Sequence, residues 1–175
     1  MPAYVGLLRG INVGGKNKVP MAELRSIFEQ LGCADVQTYI QSGNVVFTSG
    51  TSLTNTQVEA AIAETFGLDI TVVLRTASAL AKVVKANPFP HGDPRTLHVG
   101  FMTRAPSKTA VAQLESDNER FLPEEFAVRG TELYLFLPNG MGQTKLPAYL
   151  DRKLKIPTTV RNWRTVNKLA ELARS

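Results

Sequence analysis

The chain has 175 residues, 43% of them hydrophobic, enough for one compact core or two smaller ones, and this composition excludes an intrinsically disordered protein. A net charge of +5 admits phosphate-bearing partners, but acids are scattered among the bases and no long basic run marks a dedicated nucleic-acid tail. The single cysteine, Cys33, excludes an internal disulfide, and with no signal-peptide core or membrane-length apolar run the expectation is a cytoplasmic protein with no membrane partner.

Residues 3–9 form an apolar run of strand length, followed by a loop over 10–19 whose Gly14-Gly15 pair reaches positive φ at little cost. Pro20 suits a first helical turn, and Met21, Leu24, Ile27, Phe28 and Leu31 recur at helical spacing until Gly32. Residues 35–41 alternate Val36, Thr38 and Ile40 with Gln37, Tyr39 and Gln41; Ser42-Gly43 then turns the chain into a strand over 44–48. Val58, Ala61, Ile62 and Phe66 mark a helix stopped by Gly67, and Ile70, Val72 and Leu74 the next strand. The order is β-α-β-β-α-β, a ferredoxin-like plait.

A helix over 77–86 leads into a proline-broken loop at 87–94, which sets the expected boundary between subdomains 1–86 and 87–175. Beyond it come a strand at 97–102, a helix at 109–118, a hairpin about Gly130-Thr131, a helix marked by Leu146, Leu150 and Leu154, a strand at 158–161 and a closing helix. The expected fold class is therefore α+β: two ferredoxin-like (βαββαβ) subdomains in tandem, each followed by a helix, an internal duplication of architecture.

In such a plait the first and third strands are antiparallel neighbours, so the end of one lies beside the start of the other. Arg9, Gly10, Asn12, Gly14, Gly15, Lys16 and Lys18 should then meet the turn Ser42-Gly43-Asn44 at one sheet edge. Glycine loops present successive N–H groups to anions, and Arg9, Lys16 and Lys18 bring matching charge. The competing account is that Gly14-Gly15 merely permits a tight turn and the lysines are solvated. Residues 10–16 match G-x-x-x-x-G-K, yet Asn17 stands where a Ser or Thr should ligate magnesium, and Val19-Pro20 delays the helix, so a phosphate-binding P-loop is not expected.

Arg161, Asn162, Trp163 and Arg164 form a secondary basic candidate, in which Trp163 could stack a base; its place on an apolar stripe with Val166 and Leu169 favours a packing role. Asn162 suits a helix N-cap. Lys145 and Arg104 add isolated charge on loops. Tyr4 and Phe47 occupy central strands where base-stacking aromatics would sit, but read better as core. His91 and His98 lack partners at metal-ligand spacing, so no metal is expected; His98, on a strand, is expected to face away from the helices. Cys33 reads as filler. Leu133, Leu135 and Leu137 alternate with Tyr134 and Phe136, making both faces of that strand apolar.

Residues 4–15 (YVGLLRGINVGG), 38–45 (TYIQSGNV) and 159–163 (TVRNW) resemble a bacterial family known only as a domain of unknown function, number sixteen ninety-seven. The likeness spans nearly the whole chain. It implies two plait-like subdomains and carries no activity, substrate or catalytic residue. The expected function is a binding protein for an anionic ligand, a nucleotide or nucleic-acid phosphate, at the glycine-rich basic loop, with no cofactor and oligomeric state left open. One alternative is an enzyme acting on a phosphorylated small molecule, using Arg9 and Lys16 for charge stabilisation but lacking an evident general base. Another is a protein-interaction module using the strand face of Tyr134 and Phe136.

Overall fold

A computed structural model describes residues 1–90 and 92–174; His91 lies outside the described residues. The first sheet contains β1 (Ala3–Leu8), β2 (Ala34–Thr38), β3 (Asn44–Thr48) and β4 (Val72–Thr76) in the order β2-β3-β1-β4, all pairs antiparallel. Helices α1 (Met21–Gln30) and α2 (Asn55–Phe66) connect its strands, and α3 (Ala77–Lys85) follows. The second sheet repeats the order as β6-β7-β5-β8, from β5 (Leu97–Met102), β6 (Glu125–Arg129), β7 (Glu132–Phe136) and β8 (Thr158–Asn162). Helices α4 (Lys108–Ser116) and α5 (Leu146–Leu154) connect these strands, and α6 (Trp163–Arg174) follows. This is a tandem of two ferredoxin-like folds. The chain divides into two compact units, Met1–Val84 with Asn167–Ser175, and Lys85–Val166.

In the first unit, α1 buries Leu24, Ile27 and Phe28 in a core with Val36, Val45, Phe47, Val58 and Ile62. The Phe47 ring lies 5.0 Å from Phe28 and 5.5 Å from Tyr4, so these strand aromatics pack on the helix-covered face and form no open platform for bases. Gly6 of β1 admits the Phe28 ring: a Cβ there would come within 3.3 Å of it. Gly100 holds the matching place in β5, where a Cβ would meet Thr158 at 2.9 Å. Cys33 is buried in this core and its thiol pKa is pushed up by that burial, which suits filler and disfavours a thiolate nucleophile.

Helix α2 opens with a reciprocal cap between Thr54 and Gln57 and ends at Gly67 in the left-handed region. Its Asn55 and Glu59, one turn apart, accept hydrogen bonds from the Leu74 and Val72 N–H groups at 3.1 and 2.9 Å. These side chains satisfy donors on the outer rim of edge strand β4, which would otherwise invite another strand.

Two local expectations need correction. Strand β2 stops at Thr38 rather than running to Gln41, because the Tyr39 N–H already donates to the Asn44 C=O at 2.9 Å and closes the turn. Ile40 therefore leaves the alternation; it is 50% exposed with φ at +51°, an unusual backbone state for a β-branched residue. His98 does not face away from the helices: it lies directly opposite Leu135, and cross-strand neighbours share a face. Leu135 belongs to the helix-side core with Met102, Leu114, Leu133, Leu146 and Leu150. The other face of β7 is also covered, with Tyr134 buried and Phe136 meeting the Phe89 ring at 5.9 Å.

The His98 side chain is 9% exposed, and its Nδ1 has no hydrogen-bond partner among the described residues. Burial pushes its pKa below the ordinary 6.5, with the Thr96 backbone opposing in part. The unfolded chain then binds this proton more readily than the folded one, so stability falls as pH drops below 6.5 toward the folded value. Urea unfolding at about pH 7.5 and about pH 5.5 should show a larger loss for the wild type than for His98→Leu. Equal losses in both proteins would show that His98 does not carry the effect.

Candidate functional site

The site grows out of one register. Leu7 of β1 pairs with Asn44 of β3, the Leu8 N–H donates to the Gly43 C=O at 2.9 Å, and the Arg9 N–H donates to the Thr71 C=O at 3.0 Å. The chain leaving β1 is thus held between the turn over 40–43 and the approach to β4. Ile11 and Val19, at the two feet of the loop, are both buried in the first core, each anchoring it by roughly 1.5–3 kcal/mol of apolar burial.

Asn12 ties these pieces together. Its Nδ2 donates to the Gln41 C=O at 2.8 Å and the Val19 C=O at 3.0 Å, while its Oδ1 accepts from the Val19 N–H at 2.8 Å. One side chain latches the two feet of the loop and the neighbouring turn. The Asn12 N–H donates to the Asn17 C=O at 3.1 Å, the Lys16 N–H to the Val13 C=O at 3.0 Å, and the Asn17 Nδ2 to the Gly10 C=O at 3.0 Å. Gly14 and Gly15 sit at φ of +59° and +76°, the backbone a two-residue hairpin turn of the primed type demands.

The glycine loop is therefore a miniature hairpin whose tip stands in solvent, with Val13 63% exposed. It does not wrap into a helix as a P-loop does, since α1 begins at Met21, five residues beyond Lys16. Arg9, Lys16 and Lys18 are exposed around it, and neither lysine forms an ion pair among the described residues. Helix α1 starts two residues after Val19 with Pro20 as its N-cap and no side-chain cap, so its first-turn N–H groups add positive potential.

The predicted residues divide by role. Gly10, Gly14, Gly15, Arg9, Lys16 and Lys18 lie on the exposed part. Asn12, Gly43 and Asn44 form the frame. Asn44 is fully buried, and its Nδ2 donates to the Tyr39 C=O at 2.9 Å and the Ser42 Oγ at 3.0 Å. Gly43 has φ at +92°, and a Cβ there would approach Ile11 and Leu8 side chains at 2.8 and 2.9 Å, so only glycine lets turn and loop touch. Asn17 and Ile40, both left-handed, were not among the sequence candidates; asparagine's tolerance of that conformation was the available signal for Asn17.

The secondary candidates do not assemble on one surface. Arg161 is 8% exposed, its guanidinium donating to Thr159 Oγ1 at 2.7 Å and the Val160 C=O at 3.0 Å, and burial pushes its pKa down to about 10. Asn162 caps α6 by accepting from the Thr165 N–H at 2.9 Å. Trp163 is half-buried and Arg164 exposed. Among the described residues, no group of three or more His, Cys, Asp or Glu side chains is placed to hold a metal ion, and no helix is long and apolar enough to cross a membrane.

The family model DUF1697, described as a protein of unknown function, matches residues 1–134. A conserved bacterial protein from Streptococcus pneumoniae, SP0830, has a solved structure that is similar to this chain with a TM-score of 0.70 and 28% identity. That match covers 98% of both chains. No curated protein matches the sequence.

Removing the Asn12 side chain should loosen the whole corner. Asn12→Gly keeps the left-handed backbone but deletes all three latching bonds, at a cost of about 2 kcal/mol. Denaturant unfolding measures that loss, and hydrogen exchange should show faster opening at Val19 than at core strand β3. Unchanged protection at Val19 would remove Asn12 from this role.

Proposed function

The chain belongs to the DUF1697 family, and we propose that it is a cytoplasmic binding protein for an anionic ligand, a nucleotide or nucleic-acid phosphate, held at the basic hairpin of residues 10–18. The observation that carries this reading is the pinned presentation of Lys16 and Lys18: two lysines without acidic partners among the described residues, on a turn whose feet are anchored in the core. Ordering a long cationic side chain on binding costs conformational entropy, and a backbone already fixed by Asn12 and the Val13–Lys16 bridge lowers that cost. Arg9 and the uncapped start of α1 add positive potential of the same sign.

A projecting, solvent-open tip suits a phosphate on a polymer backbone better than a small molecule that needs enclosure on several sides. We read the shared strand order of the two sheets, and the matching glycines Gly6 and Gly100, as an internal duplication in which the first copy acquired this hairpin.

Fluorescence anisotropy with a labelled single-stranded oligonucleotide, at two salt concentrations, tests the proposal. Lys16→Gln with Lys18→Gln should weaken binding about tenfold or more and make the salt dependence shallower by roughly 1.5 in log–log slope, the signature of two lost phosphate contacts. If affinity and slope match the wild type for oligonucleotides and for free nucleotides, the hairpin is not the binding site.

A further inference from the structure

The second unit holds a cavity that the hairpin reading leaves unused. After β7 the chain runs through residues 138–145, PNGMGQTK, before α5 begins at Leu146. Arg120, Phe121, Asn139, Gln143 and Lys145 line a solvent-open pocket of about 400 Å³, a volume within the range of small-molecule sites.

Its charges are poised for an anion. The Arg120 guanidinium carbon lies 5.5 Å from the centre of the Phe121 ring and 5.0 Å from that of Tyr149, and the two rings are 4.8 Å apart. Arg120 also hydrogen-bonds the Tyr149 side chain, and the five N–H donors of a guanidinium leave others for a further partner. Neither Arg120 nor Lys145 forms an ion pair among the described residues. The acid in the wall, Glu124, is already engaged: it accepts the Thr144 hydroxyl at 2.8 Å, and Thr144 Oγ1 accepts the Leu146 N–H at 3.2 Å. Two cations and one hydrogen-bonded carboxylate therefore line the space, a net positive lining.

The rest of the wall selects beyond charge. The Asn139 and Gln143 amides each offer donors and an acceptor, the pattern that matches sugar hydroxyls. We propose that this cavity binds a phosphorylated sugar, its phosphate between Arg120 and Lys145 and its hydroxyls on Asn139 and Gln143. The proposal is independent of the N-terminal hairpin, which lies in the other unit.

Amide chemical-shift mapping on the full chain decides it, with ribose 5-phosphate and glucose 6-phosphate as probes against the unphosphorylated sugars and inorganic phosphate. The sugar phosphates should move Gly140, Gly142 and Lys145 amides saturably, with inorganic phosphate at least tenfold weaker and the free sugars silent. Lys145→Gln, which leaves the Arg120 aromatic stack intact, should weaken binding about tenfold, as should Arg120→Gln. Silence at these amides with both sugar phosphates overturns the proposal. So does equal affinity for inorganic phosphate, which would reduce the cavity to an anion trap, and so do shifts confined to residues 10–18, which would support the hairpin instead.

Discussion

Leu7 sits opposite Asn44, and the surface chemistry of the first unit follows from that pairing. Antiparallel register fixes which loop ends become neighbours, so the exit of β1 and the entry of β3 have no freedom to part. Once adjacent, they can be joined by short polar contacts: Leu8 to Gly43 and Asn12 to Gln41. Glycine at 43 is the concession that lets Ile11 and Leu8 close against the turn. A loop that would be mobile on a looser scaffold is thereby held in one shape, with its charged side chains on a fixed base.

The second unit shows the same strand order spent differently. Its conspicuous polar loop follows β7 instead of β5, and the end of β7 pairs with the beginning of β5, since Phe136 lies opposite Leu97. Measured against its own sheet, that loop occupies the end opposite the one the hairpin uses in the first unit. Both central strands carry glycine at the corresponding position, Gly6 and Gly100, where neighbouring side chains crowd in. A common framework thus carries distinct loops, in keeping with folds that host function in their connections.

Element order was legible in the sequence because apolar spacing and glycine stops are strong local signals, and topology then made the approach of the β1 exit to the turn before β3 derivable, seen in the Leu8–Gly43 bond. What escaped were features that local pattern does not encode. The alternation through Ile40 looked like strand, but the Tyr39–Asn44 bond ends the ladder first. Asn44 reads as a ligand contact in the sequence, while in the structure its Nδ2 shapes the turn. The face of His98 is not readable from its neighbours, because Leu97 and Val99 are both apolar and only register against Leu135 tells the faces apart. Lys145 reads as isolated in the sequence because Arg120, which lines the same pocket, stands twenty-five positions earlier.

The division of the chain has a consequence for its birth. Lys85–Val166 is one uninterrupted stretch, whereas the first unit includes residues on both sides of it. A ribosome adds residues from the N-terminus onward, and units fold as their sequence becomes complete. The stretch beyond Val166 that joins the first unit is thus made last of all, after the helix-side core of that unit, drawn from residues 8–72, and the whole of the second unit.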